Sequence, residues 1–465
     1  MTIPVLPLIV LIPFLSIIPM LFLDKRDIRT TQMIASAIVL ALAIAIVFAP
    51  SLGISTSFSY GYIQSLGVAF GLNATYISTV LVLMSALVFF AASMVFDSFI
   101  KDNERVYGIL FALVQGSSLA LFLSSNLLVL YLFWEIAEFS MFFIILLFGS
   151  LNRRYAAIKF IIYSIVSSMA LFLGFLVLYL GVTPHTFSIS AIISSSGSMP
   201  VSMQLYALIL LFAAFAIKVP VFPFHGWLPD AHTEAPTTGS MVLAGVLLKF
   251  GGYGFILTVM MIPLAMKYSV FMAALFILSA IYSALVSMRQ HNLKRMIAYT
   301  SITEMSIVVF AVVSGSAQAL NGALYAMLAH GLAVSLLFLI AGSISEAYGT
   351  LEISALKGVI RNFRPIAWLF VFGAFAVAGL PLTSGFIGDL LIFIGTYAVF
   401  GMAALLPLAA ILLLAGLLFW IAEKVFMSGR ATEPAERIQK SVYYTGAFLA
   451  AATVVFGIVP FILIH

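Results

Sequence analysis

The chain has 465 residues, of which 64% are hydrophobic and only 8% are charged. An ordinary soluble domain is about 45–50% apolar and about 25% charged, so this composition excludes a soluble enzyme, a nucleic-acid-binding protein and a disordered scaffold. The chain contains no cysteine, which excludes disulfides and cysteine-held iron–sulfur clusters. The sequence therefore predicts an all-α polytopic membrane protein that lies in a lipid bilayer and binds no nucleic acid.

About fourteen stretches are long and apolar enough to span a membrane, since one span needs about 20 mainly apolar residues. The first is too long for the apolar part of a signal peptide and is predicted to be a retained helix. The twelfth is too long for one simple helix and contains Gly-Leu-Pro, ending at Pro381, and Ser-Gly, ending at Gly385, which predicts a broken helix. The predicted spans are 3–23, 31–50, 74–96, 107–123, 126–149, 156–181, 204–222, 238–262, 269–288, 295–314, 319–343, 364–397, 403–423 and 441–464.

The placement of the 21 Lys and Arg residues tests this count. Lys267 alone falls in an even-numbered loop, and Lys218 and Lys249 fall well inside predicted spans. All the others fall in odd-numbered loops or in the first turn of the span that follows such a loop. Because positive loops stay in the cytoplasm, the odd loops are predicted to be cytoplasmic and both termini to lie outside. This alternation predicts a multi-pass protein of a prokaryotic cell membrane.

Lys218 and Lys249 have acidic counterparts within predicted spans. A charge at bilayer depth costs at least about 2.5–3.5 kcal/mol on insertion scales, so such residues face a protein-lined or wet interior and find partners. Static ion pairs that fix helix packing are one explanation, and a relay for protons or cations is the other. The number of charges favours a relay, and a lysine suits protons because its ammonium offers no lone pair to Na⁺. The acids are Glu135, Glu138, Glu304 and Asp389.

Breaks and histidines accompany these charges. Pro220 and Pro223 follow Lys218, and they predict either a broken seventh helix or a plain helix end. His330 lies within a span, and His225 and His232 flank the seventh span. A histidine beside buried Lys and acids is a candidate proton carrier because its ordinary pKa is near 6.5. No histidine pair has metal-site spacing, and no metal site is expected.

Four segments resemble one family. The segment KVPVFPFHGWLPDAHTEAPTTGSMVLAGVLLK (218–249) is similar to the signature of the antiporter-like subunits of respiratory complex I, and its HTEAPT form looks most like subunit M, or chain 4. NLKRMIAYTSITEMS (292–306), LAHG (328–331) and GLPLTSGFIGD (379–389) resemble further blocks of that subunit. The wider superfamily also includes subunits of cation/proton antiporter complexes and of membrane-bound hydrogenases.

The resemblance implies one transmembrane domain, 1–465, of fourteen helices with two inverted five-helix repeats. The first repeat would be helices 4–8 at 107–262 and the second helices 9–13 at 269–423. Helices 7 and 12 would be broken, with the breaks at Pro220, Pro223, Pro381 and Gly385. The ranges 1–96 and 441–465 would be flanking helices.

The resemblance also implies residue roles. Glu135 would be the acid that pairs with Lys218, Lys249 the central lysine, and His330 a histidine on the path between the halves. Asp389 stands where subunit M has a glutamate, and would be the terminal proton site. Glu304 departs from the family, which often has a histidine there, and Glu138 is an acid that the pattern does not include. Glu138, Glu304, His225 and His232 are therefore accessory candidates.

The function implied is proton translocation through this relay, driven by redox chemistry in partner subunits of a complex I-like NADH (or related donor):quinone oxidoreductase. This chain would be a non-redox pumping subunit of that enzyme. It would carry no cofactor, and flavin, iron–sulfur clusters and quinone would belong to partners, which include further antiporter-like subunits. The alternatives are a Na⁺/H⁺ antiporter subunit, a hydrogenase subunit, and a purely structural subunit with static charges.

Overall fold

The computed structural model describes residues 5–63, 68–429 and 432–463. Within these residues the predicted all-α membrane architecture is confirmed, with fourteen main helices, the twelfth in two pieces. The predicted flanking ranges 1–96 and 441–465 extend beyond the described residues at both ends. The helices are α1 Val5–Met20, α2 Lys25–Val47, α3 Tyr76–Met94, α4 Glu104–Leu123, α5 Leu127–Phe148, α6 Arg153–Gly181, α7 Val201–Lys218, α8 Thr237–Met261, α9 Ser269–Ser287, α10 Leu293–Val313, α11 Ala317–Tyr348, α12a Arg364–Val377, α12b Ser384–Phe400, α13 Leu405–Ile421 and α14 Lys440–Ile458.

Three helices form the centre of the molecule. In each of the helices α8, α10 and α11, about 94% of the most apolar stretch of 18 residues is buried inside the protein. The corresponding share is 39% for α6 and 33% for α14. A helix that is buried on all sides meets protein rather than lipid, so its polar groups can find partners. The central helices carry Lys249, Glu304 and His330, whereas the outer helices present apolar side chains such as Ile162, Met169 and Phe172 on the outer surface.

Both predicted breaks occur. Helix α7 ends at Lys218, before Pro220 and Pro223, and helical structure resumes at Phe224–Trp227 and Leu228–Glu234. The twelfth helix stops at Val377 and resumes at Ser384, so Pro381 lies between the two pieces. A proline has no N–H to donate and its ring clashes with the carbonyl four residues back, so a proline inside a helix kinks or breaks it.

Gly385 differs from the expectation because it lies in the first turn of α12b rather than in the break. A Cβ there would lie 2.3 Å from the carbonyl oxygen of Ala376, in the last turn of α12a. Gly385 therefore lets the first turn of α12b approach the last turn of α12a closely.

A short hairpin is the departure from the all-α expectation. Strands β1 Ser57–Ile63 and β2 Val68–Asn73 pair antiparallel between α2 and α3. Strand β2 contacts the start of α5, where the Ser125 N–H donates to the Gly71 carbonyl at 3.0 Å. A Cβ on Gly71 would lie 2.1 Å from the Ser125 Oγ, so a side chain at residue 71 would displace the Ser125 hydroxyl.

An isolated antiparallel β-bridge, here called a clamp, occurs at two corresponding places. In the first clamp Asn126, just before α5, pairs with Ser188, which follows α6. In the second clamp Asn292, just before α10, pairs with Glu352, which follows α11. Both asparagines cap their helix with the side-chain oxygen. In each clamp the residues on either side exchange backbone hydrogen bonds of 2.8–3.0 Å. Five spans separate the two clamps, so they lie on opposite sides of a membrane.

Candidate functional site

The first buried ion pair joins α5 and α7. The Nζ of Lys218 lies 2.5 Å from the Oε1 of Glu138, and the two side chains are 2% and 1% exposed. Four aromatic rings surround the ammonium at 5.5–5.8 Å from their centroids, at a range where ring faces attract a cation. These rings belong to Trp134, Phe160, Trp227 and Phe250.

The expected partner of Lys218 was Glu135, and that pairing is wrong in this structure. The two acids lie three residues apart on α5, so they project in neighbouring but different directions. Glu138 points inward to Lys218. Glu135 is half-buried and lines an open apolar cleft of about 700 Å³ formed by α1, the hairpin and α5. Its carboxyl is close to Ser168 and Tyr131.

The second group joins the central helices α8 and α11. Lys249 is 0% exposed, and its Nζ donates to the Ala244 carbonyl at 2.7 Å and meets the Nδ1 of His330 at 2.5 Å. The stretch Leu243–Leu247 is wound as a π-helix, and the Leu248 N–H donates to the Leu243 carbonyl five residues back. The Ala244 carbonyl is thereby available to the lysine, as π-bulges often allow at functional sites.

The charge of Lys249 decides the histidine tautomer at this contact. When Lys249 is an ammonium it has three N–H donors and no acceptor, so in that state the Nδ1 of His330 accepts and the ring proton sits on Nε2. That Nε2 is buried and has no hydrogen-bond partner. The imidazole therefore presents a buried donor on the side away from Lys249.

The third group surrounds a small cavity. Glu304 of α10, His330 of α11 and Asp389 of α12b line a cavity of about 20 Å³, and the other lining residues are apolar or glycine. The Oε1 of Glu304 has no hydrogen-bond partner. A cavity needs roughly 10–15 Å³ to hold one water molecule, and the water needs two or more polar partners. The space and its polar groups suit a single water.

A glycine lies close to the carboxylate of Asp389. Gly379 lies in the break of the twelfth helix with a φ of +66°, and a Cβ there would lie 2.4 Å from the Asp389 Oδ2. Both the left-handed backbone and the close approach require glycine at this position. The break thus brings the backbone of residue 379 against the carboxylate.

His225 and His232 lie in the segment between α7 and α8, outside the spans. His232 is fully buried, stacks on Phe338 and has two unpartnered ring nitrogens. Burial, together with the Lys294 and Lys249 ammonium groups, lowers the pKa of His232 to about 3, so the ring is neutral. His225 packs against aromatic rings, and burial lowers its pKa as well.

Two acids in the 218–249 segment have structural contacts that sequence reasoning missed. Asp230 accepts from Lys159 and Arg295, both at 2.7 Å, and so ties α6 to α10. Glu234 accepts from Ser150 Oγ at 2.6 Å and from the Asn152 N–H at 2.8 Å, at the turn between α5 and α6. Because both acids lie in a polar run, the sequence indicates that they form polar contacts. It does not indicate which residues they contact.

The described residues thus contain a series of buried and half-buried titratable groups from α5 to α12b. Glu138 and Lys218 form the first pair, Lys249 and His330 the second, and Glu304 and Asp389 line the cavity beyond His330. Glu135 lies beside this series on the cleft. The series crosses the middle of the molecule through its most buried helices.

Comparisons with known proteins show the family of the chain. Residues 124–417 match the family "NADH:quinone oxidoreductase/Mrp antiporter, TM". NADH-quinone oxidoreductase subunit M of Rickettsia bellii is 33% identical over 423 residues, which cover 88% of this chain and 85% of that protein.

Solved structures give the same result. A chain of respiratory complex I from Thermus thermophilus has a TM-score of 0.90 at 25% identity, covering 98% of this chain and 96% of that one. A chain of the Mrp complex from Dietzia sp. has the same fold, with a TM-score of 0.85, 23% identity and coverage of 98% and 51%. The resemblance to antiporter-like subunit M is confirmed, and this chain belongs to the family of NADH:quinone oxidoreductase/Mrp antiporter transmembrane subunits.

Proposed function

We propose that this chain is a proton-translocating membrane subunit of a complex I-like NADH (or related donor):quinone oxidoreductase. The observation that carries the proposal is the 2.5 Å contact between the Nζ of the buried Lys249 and the Nδ1 of His330. An amine and an imidazole at this distance can exchange a proton, and their protonated forms, ammonium and imidazolium, have no lone pair to offer Na⁺. The curated relative is named as subunit M of an NADH-quinone oxidoreductase, which supports the choice of complex.

The proton would pass along the buried series. It would enter at Lys218, move through Lys249 and His330, and leave from Asp389, with Glu304 as an additional carrier beside the exit. Movement of Glu138 away from Lys218 would break the ion pair and free the ammonium to pass its proton along the series. Glu135, on the cleft, and His225 and His232, in the segment before α8, would be accessory groups.

The energy would come from partner subunits. Moving one proton outward works against about 2.3 kcal/mol per 100 mV. The described residues supply titratable side chains along a path, so this chain would act as the non-redox part of an enzyme complex. Flavin, iron–sulfur clusters and quinone would be bound by partners, and further antiporter-like subunits would adjoin this chain in the membrane.

The orientation follows from the charges. The odd-numbered loops would face the cytoplasm of a prokaryote, with the protein in the cell membrane and both termini outside. The ranges 107–262 and 269–423 would be inverted repeats. The two clamps at Asn126 and Asn292 support this because they have the same hydrogen bonds and lie on opposite sides.

Mutation of the assembled complex in membrane vesicles tests the proposal. With the electron donor added, Lys249→Met, which cannot carry a proton, should reduce proton translocation at least about tenfold per electron transferred. Lys267→Met, at an exposed loop position, is the matched control and should pump at the parental rate. Parental pumping by a correctly assembled Lys249→Met complex would contradict the relay.

A Na⁺/H⁺ antiporter subunit is the second candidate, because the fold is also that of a chain in the Mrp complex. It predicts Na⁺-dependent proton exchange by vesicles without any electron donor. Exchange under these conditions, together with the absence of donor-driven pumping, would favour it over the redox-driven pump.

A further inference from the structure

We propose that Glu304 and Asp389 form a carboxylic-acid pair that shares a single proton across one bound water molecule. The two acids come from different helices, α10 and α12b, and line the same cavity of about 20 Å³. The role of this pair in transfer rests on the proposed function, but its existence is measured separately.

The unpartnered atoms at the cavity indicate its occupant. His330 is 3% exposed, and its Nε2 has no hydrogen-bond partner. When Lys249 is charged and donates to Nδ1, Nε2 carries the ring proton and is a buried donor, and His330 lines the cavity. The Oε1 of Glu304 is a buried acceptor without a partner. One water that accepted from Nε2 and donated to Glu304 would satisfy both atoms, and its second hydrogen would be left for Asp389, which lines the same cavity.

The surrounding charges decide how many protons the pair holds. Helices α11, α12a and α13 face the cavity with His330 and with apolar residues such as Ala376 and Ile411. The nearest base, Lys249 of α8, lies behind the imidazole and binds its Nδ1. Two carboxylates that share a water-sized site cannot both be ionised at moderate cost. One shared proton leaves the pair with a single negative charge opposite the Lys249 ammonium.

A metal cation suits this cavity less well. Hard cations take about six or more oxygen ligands, and the cavity offers two carboxyl groups and an N–H donor among apolar walls. In the part of the chain that the structure describes, no group of three or more His, Asp or Glu side chains is placed to hold a metal ion. The chemistry of the lining therefore matches a proton and a water.

Infrared spectroscopy of the purified, assembled complex in lipid nanodiscs tests the pair, because the C=O stretch of a protonated carboxyl is separate from that of a carboxylate. The band is titrated in Na⁺-free buffer in the parent and in the Glu304→Gln and Asp389→Asn variants. Either amide removes the like charge, so the acid that remains should titrate about 1–3 pH units lower. The control Glu433→Gln, at an exposed position, should leave the band and its midpoint unchanged.

Three outcomes would overturn the pair. In the first outcome, one variant loses the band of the protonated carboxyl and the other variant titrates at the parental midpoint. This outcome would mean that a single acid holds the proton without help from the other. The second is no protonated carboxyl near neutral pH in the parent. The third is loss of the parental band on adding Na⁺, which means a cation site. If instead both midpoints fall but both variants pump at the parental rate, the pair stands and the proposed function falls.

Discussion

In the first half of the chain a buried acid lies against a buried base, whereas in the second half a buried acid faces another acid across a cavity. Glu138 and Lys218 are in direct contact and enclosed by aromatic rings. Glu304 and Asp389 share a cavity with unpartnered atoms on its walls. Both arrangements join a helix to a broken neighbour, α5 to α7 and α10 to α12b. The first half thus places an ammonium against a buried carboxylate, whereas in the pair that we propose for the second half a shared proton would take that role.

Removing Lys218 should have the largest effect, since it leaves Glu138 buried without a counter-charge. We expect Lys218→Met to destabilise the complex by about 3–5 kcal/mol and to abolish proton translocation. Thermal unfolding and donor-driven proton uptake measure the two effects. The double variant with Glu138→Gln removes both charges and should recover much of the stability. A single variant as stable as the parent would mean that the contact contributes nothing.

The two acids of α5 separate the structural pairing from the expected one. Glu138→Gln keeps an oxygen near Lys218 but removes its charge, so it should cost about 1–3 kcal/mol. Glu135→Gln, on the open cleft, should stay within about 0.5 kcal/mol of the parent. Chemical denaturation of both variants side by side makes the comparison. A larger loss for Glu135→Gln would restore the pairing that the sequence suggested.

Asp389→Lys would place a lysine opposite an acid in the second half, as Lys218 lies opposite Glu138 in the first half. The new ammonium would face Glu304, so the pair should become attractive. In a double-mutant cycle with Glu304→Gln, we expect the introduced lysine and Glu304 to stabilise each other by about 0.5–3 kcal/mol. The parental Asp389 and Glu304, with Asp389→Asn as reference, should show a weaker or opposite coupling near neutral pH. Equal coupling in both cycles would remove the contrast between the halves.

The smallest effect is expected at the glycine beside Asp389. Gly379→Ala places a Cβ 2.4 Å from the carboxylate on a left-handed backbone, which should cost about 1 kcal/mol and shift the carboxyl titration. Gly416→Ala is the matched control, because nothing lies within 4 Å of its added Cβ. A Gly379→Ala variant that matches this control in stability and titration would show that the break tolerates a side chain.

Hydropathy and charge predicted most of the fold. The spans and the break at Pro381 were evident because apolar length and proline act locally. The helix ends were less certain: α14 stops at Ile458, before Pro460, and not at 464. The hairpin was missed, although the alternation in SFSYGYI at Ser57–Ile63 is typical of a strand. That segment has seven residues, far fewer than the roughly 20 that mark a membrane span.

The site was predictable in composition but not in pairing. Buried lysines and acids are conspicuous in an apolar chain, and all of those named lie at the described site or beside it. The rotation of α5 decides whether Glu135 or Glu138 meets Lys218, and three residues of spacing put both acids on similar faces. The cavity between Glu304 and Asp389 depends on how α10, α11 and α12b pack, which no local pattern records.

The Ala244 carbonyl gives Lys249 an anchor that does not depend on charge. A carbonyl accepts from an ammonium and from a neutral amine alike, and it does not titrate. In the proposed relay, the nitrogen of Lys249 would therefore keep one fixed partner before and after it released a proton. The side-chain contacts of the buried series change strength when a proton is gained or lost, whereas the hydrogen bond to the backbone carbonyl in the π-helical turn of α8 does not depend on a titrating partner.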